Sequence, residues 1–142
     1  MSTIRQLLAE KGHEVFSIAP DATVYDAIKE MSDRDIGALI VVEEGKPVGM
    51  VTERLYAREI ILKGRASPST LVREVMDTEM IYARLDQTVE ECMAVMTAKR
   101  IRHLPVISDG GLVGLVSIGD LVKSIITRQE FTIEQLIHYI RR

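Results

Sequence analysis

The chain has 142 residues, 46% hydrophobic and 27% charged, a balance that suits a globular core and excludes disorder; with no Trp and two Phe, that core must be aliphatic and Met-rich. A formal net charge of −3 argues against a general nucleic-acid partner, whose phosphates call for clustered Lys and Arg. No apolar run approaches the about 20 residues of a membrane span, so no membrane partner and a cytoplasmic location are expected.

The first predicted element is a lead-in helix over 3–11, with Ile4, Leu7 and Leu8 on one face. A short apolar segment, Val15-Phe16-Ser17-Ile18, predicts a strand. Val24, Ala27, Ile28 and Met31 then recur at helical spacing behind Thr23, a plausible N-cap. Two β-branched runs, 38–42 and 48–52, predict strands joined by a tight turn over 43–47. Helical spacing resumes over 54–62 and stops at Gly64, and 63–69 is rich in Gly, Pro and Ser and predicts a loop.

The same order returns in the second half. Met80-Ile81-Tyr82-Ala83 predicts a strand, and Thr88 leads a helix whose stripe holds Val89, Cys92, Met93 and Met96. The single cysteine, Cys92, cannot form an internal disulfide or a zinc cluster and reads as a small buried hydrophobe. Strands follow at 103–107 and 112–117 around a turn at 108–111, then a helix over 120–126. A separate terminal helix over 131–140 carries Ile133, Leu136, Ile137 and Ile140 on a stripe that its own chain or another copy must cover.

The two halves align without a gap from Thr23 to about Tyr56: Thr23 matches Thr88, Ala38 matches His103, and Thr52 matches Ser117. Strand, helix, strand, strand, helix is therefore written twice. The expected class is α+β, with pseudo-two-fold symmetry and extra helices at both termini. The expected halves are 1–66, holding the lead-in helix and repeat one, and 67–142, holding repeat two and the terminal helix.

The duplicated pattern resembles the CBS domain, two of which in tandem form a Bateman module. The resemblance rests on a Thr-Val helix start paired with a Gly-apolar-apolar-apolar-Thr/Ser-x-x-Asp ending, complete here as Gly114-Leu115-Val116-Ser117-Ile118-Gly119-Asp120. Ile101-Arg102-His103-Leu104-Pro105-Val106 is also similar to the family's second strand, and Thr52-Glu53-Arg54-Leu55-Tyr56-Ala57-Arg58 is similar to a stretch of its bacterial stand-alone members. The resemblance implies two βαββα repeats and a non-catalytic regulatory module. It also implies a ligand such as AMP, ATP, NAD(H) or S-adenosylmethionine in a cleft between the repeats; an adenine nucleotide, AMP, ATP or NAD(H), is expected here, and a homodimer is the expected assembly.

An ionised carboxylate can accept from two neighbouring ribose hydroxyls at once, which makes Asp120 the candidate diol acceptor. Ser117, with Ile118 beside it, ends the strand where a hydroxyl and helix N–H groups can meet phosphate. The structural alternative makes Ser117 a helix cap and Asp120 a first-turn charge. For the adenine slot the resemblance points to Ser17, Ile18, Ile36, Gly37 and Ala38. A second pocket is expected to lack ribose recognition, because Leu55 stands where the other repeat has Asp120. Arg100, Arg102 and His103, with Thr52, Arg54 and Arg58, would suit phosphate there.

His103 lacks companions at metal-ligand spacing, and no P-loop or Ser/His/Asp arrangement is present, so neither a metal nor an enzyme is expected. The competing expectation is a ligand-independent dimerisation module, with a cryptic nucleotide hydrolase third.

Overall fold

The computed structural model describes residues 2–141. In chain order the elements are α1 (Ile4–Lys11), β1 (Ser17–Ile18), α2 (Val24–Arg34), β2 (Ala38–Glu43), β3 (Lys46–Thr52), α3 (Glu53–Tyr56), α4 (Val72–Val75), β4 (Ala83–Arg84), α5 (Val89–Lys99), β5 (His103–Ser108), β6 (Gly111–Ser117) and α6 (Ile118–Arg141). Two units contain them. A first-repeat unit spans Val15–Met80, and a second-repeat unit joins Ile81–Arg142 to the residues up to Glu14.

Each unit is built on one three-stranded sheet, in order β1-β2-β3 and β4-β5-β6. The outer pair in each, β1 with β2 and β4 with β5, is parallel and therefore needs a crossover, which α2 and α5 supply. Both crossover helices start with a capping box, Thr23 with Asp26 and Thr88 with Glu91. Both end on a left-handed residue, Asp35 at φ 53° and Arg100 at φ 55°.

The antiparallel hairpins turn on Glu44-Gly45 and Asp109-Gly110, with φ of 51° and 77° and of 52° and 77°. Positive φ at both central residues is the signature of a type I′ turn, whose twist matches the strands it joins. Both hairpins also slip register at matching places, between Val41 and Val42 and between Val106 and Ile107. The α+β class and the doubled element order of the sequence are thus present.

The cores are aliphatic. Ala27, Met31, Leu39, Val41, Val51 and Val72 fill the first-repeat unit. Ile4, Leu7, Leu8, Val89, Cys92, Met96, Leu104, Val106, Val116 and Leu121 are among those filling the second. Cys92 is fully buried, and burial pushes its thiol pKa up to about 11.

Two features differ from the sequence-based expectation. The helices expected at 120–126 and 131–140 are one helix, α6, of 24 residues. No Gly or Pro stands between Ile126 and Phe131, and Arg128 in that stretch pairs with Glu90 at the start of α5.

The other difference concerns α1, which packs on the second repeat and not on the first that it precedes. Ile4 and Arg5 donate their amides to the carbonyls of Gln87 and Leu85, and Val89 donates to that of Ser2. The short α4, which precedes the second repeat, binds the first in the same way: Val72 and Arg73 donate to Ala22 and Pro20, and Val24 donates to Thr70. Glycines allow both approaches. A Cβ on Gly114 would stand 2.8 Å from a methyl of Leu8, and one on Gly49 2.8 Å from the Met76 sulfur. The division at 66/67 read from the sequence therefore differs from the structural one in where each lead-in segment belongs.

Candidate functional site

In the second-repeat unit the candidate residues gather where β6 hands over to α6. Asp120 Oδ2 accepts from the Ser117 amide at 2.8 Å, and Ser117 Oγ accepts from the Asp120 amide at 3.2 Å. This reciprocal pair is a capping box, so the helix-cap geometry weighed in the sequence is present. His103 lies opposite Ser117 in the sheet register, and Ile118 donates its amide to the Arg102 carbonyl at 2.9 Å. Strand pairing and the helix start thus bring Arg102, His103, Ser117, Ile118 and Asp120 to one end of the sheet. Arg100, which caps α5 and is exposed, stands two residues before that end.

A residue that the sequence did not single out completes the group. Lys11, the last residue of α1, places Nζ 2.6 Å from Asp120 Oδ2 and 2.5 Å from the Leu115 carbonyl oxygen. Burial raises the Asp120 pKa, but the Lys11 ammonium and the Ser117 amide outweigh it, and the net position is below the ordinary value. Burial chiefly lowers the His103 pKa; Lys11 adds to this, Asp120 opposes it, and Arg102 adds a smaller push downward. The end of the sheet therefore offers an ionised carboxylate, an ammonium and a half-buried imidazole biased towards neutrality.

The first-repeat unit repeats this frame without its acid. Ala38 lies opposite Thr52, Glu53 donates to the Gly37 carbonyl at 3.2 Å, and Thr52 Oγ1 accepts from the Leu55 amide at 3.0 Å. Leu55 returns no hydrogen bond and packs instead on the unit's core. Ser17 is exposed on β1, Ile18 and Ile36 pack against the core, and Ala38 is buried. Arg54 is half-buried, and Arg58 is exposed on a π-helical turn spanning Ala57–Ile61. A groove of about 430 Å³ in this unit is lined by Ile28, Met31, Ser32, Asp35, Glu53 and Tyr56, none of them an expected ligand contact.

Among the described residues, no group of three or more His, Cys, Asp and Glu could hold a metal ion, and no helix is long and apolar enough to cross a membrane.

Comparison with known proteins gives the pattern a family. The CBS domain model matches twice, at residues 7–61 and 72–127. A mitochondrial CBS domain-containing protein of Arabidopsis thaliana, CBSX3, is 39% identical over 99% of this chain and 72% of its own length. The CBS domain-containing protein YhcV of Bacillus subtilis is 33% identical over 85% of this chain and 84% of its own. A solved CBS-domain structure from Burkholderia ambifaria superposes with a TM-score of 0.87 at 46% identity, covering 90% of this chain and 96% of that one. The CBS domain pair of MJ0100, solved with 5′-methylthioadenosine and S-adenosyl-L-methionine, shares the fold at 22% identity and a TM-score of 0.79, over 90% of this chain and 98% of that one. Duplicated hairpins, duplicated caps and a twofold family match lead to one conclusion: the chain belongs to the CBS domain family and carries two such domains in tandem.

Proposed function

We propose that this chain is a non-catalytic regulatory module that binds an adenine nucleotide, AMP, ATP or NAD(H), with Asp120 accepting from the ribose diol. The observation that carries this is the ionised Asp120 carboxylate at a strand-to-helix junction, beside Lys11 and His103. The Ser117 hydroxyl, at the positive end of the α6 dipole, supplies the phosphate side. Adenosine-type ligands in the MJ0100 pair support the ligand class. The Leu55 position has no acceptor, so ribose is not held there, and Arg54 and Arg58 stand near it for phosphate alone.

Calorimetry with AMP, ATP and NAD tests this. Asp120→Ala is expected to weaken binding by about 1–3 kcal/mol, the scale of a hydrogen bond to a charged group. Equal affinity in wild type and variant would refute the assignment.

A second function, ligand-independent dimerisation, is favoured by the apolar residues that α6 leaves exposed, among them Phe131 at 61% and Ile140 at 79%. A homodimer is compatible with either function. An absence of any thermal shift with nucleotides would favour the dimerisation module.

A further inference from the structure

Accepting Asp120 as the ribose acceptor, we propose that Lys11 is a built-in competitor for that carboxylate, so that filling the site releases the C-terminal end of α1. Both hydrogen bonds that Asp120 accepts fall on one oxygen, Oδ2: the Ser117 amide at 2.8 Å and Lys11 Nζ at 2.6 Å. A carboxylate offers about four acceptor positions over two oxygens, so Oδ2 is filled. A vicinal diol gripping both oxygens must displace one of these donors. The Ser117 amide is fixed by the strand register opposite His103, whereas Lys11 reaches in on a flexible four-carbon stem and is partly exposed. Lys11 is the donor that yields.

Its departure has a structural consequence. The N-terminal end of α1 is fastened by the backbone bonds of Ile4 and Arg5. The C-terminal end is fastened to β6 by side chains: Lys11 Nζ on the Leu115 carbonyl at 2.5 Å, His13 Nδ1 against the Val113 carbonyl at 2.9 Å, and Leu8 over Gly114. Gly12, at φ 104°, follows immediately and leaves the backbone free to swing. The first-repeat unit has no such latch, because Leu55 replaces the acid.

Adenosine, which carries no phosphate to attract a displaced ammonium, is the clean probe. In calorimetric titrations Lys11→Met, which keeps an aliphatic stem, is expected to bind adenosine roughly 2- to 5-fold more tightly than wild type, the equivalent of a partly exposed ion pair. Wild-type affinity is expected to rise between 50 and 500 mM KCl, about a tenfold change in screening salt, while that of the variant stays level. Saturating adenosine should also speed amide hydrogen exchange at residues 8–12 of the wild type. Equal or weaker binding by Lys11→Met, or unchanged or slowed exchange at residues 8–12, overturns the competitor role while leaving the nucleotide site intact. Failure of adenosine, AMP, ATP and NAD to bind either protein overturns the nucleotide site and the latch together.

Discussion

His103 is the residue whose protonation the surroundings most clearly oppose. Burial, the Lys11 charge and Arg102 lower its folded-state pKa, against the smaller pull of Asp120. Because the folded value lies below the unfolded one of about 6.5, folding disfavours the proton. The stability that follows is fully present above pH of about 6.5 and is lost as pH falls through the folded pKa. His103→Gln should therefore flatten the decline in melting temperature between pH 7.5 and 5.5, a range bracketing that of about 6.5; melting curves with equal slopes would contradict this. His103, which the sequence assigned to the Leu55 pocket, meets Ser117 through the strand register; Ser117 and Asp120 were legible together because the duplicated motif sets their spacing along one strand-turn-helix. Lys11 was not, since its partner lies over a hundred positions away and is met only once α1 has docked.

Among the elements, α6 departs most from what its sequence suggested. Its first turns bury Leu121 against α5, but beyond Arg128 every described residue is exposed. The apolar side chains there, Phe131, Ile133, Leu136, Ile137 and Ile140, share the stretch with Glu130 and Glu134 towards one end and His138 and Arg141 towards the other. Two such segments laid antiparallel would pair opposite charges while covering apolar surface. On the proposal that α6 pairs two copies, removing 131–142 is expected to convert a dimer to monomer by light scattering without lowering the melting temperature by more than a few degrees. A truncated chain that remains dimeric would place the interface elsewhere. The apolar periodicity was readable on both sides of 127–130, but the polar residues between them looked like a break. Nothing in that tetrapeptide stops a helix, and the Glu90 contact that steadies it is tertiary.

For the whole molecule, the exchange of lead-in segments governs what can fold alone. A fragment of 67–142 keeps α4, which serves the other unit, and lacks α1 with its buried Ile4, Leu7 and Leu8. Truncating a buried aliphatic side chain costs about 2–5 kcal/mol, so losing three rivals the roughly 5–15 kcal/mol that holds a domain together. The fragment should show no cooperative melt by circular dichroism until a peptide of residues 1–14 is added. Cooperative melting without the peptide would show that α1 is dispensable. The sequence displayed the repeat from Thr23 onward because that alignment has no gap. Ile4-x-x-Leu7-Leu8 also matches Val72-x-x-Val75-Met76, but at a different spacing, which a search at constant offset passes over.

Synthesis on the ribosome meets these two units in unequal circumstances. Val15–Met80 is one uninterrupted stretch that can close as soon as it emerges, with α4 arriving last to seal it. Residues 2–14 come out well ahead of the strands they cover and must wait, apolar face uncovered, until those strands have been made. That interval is when a chaperone or a neighbouring nascent chain has its best opportunity to capture them.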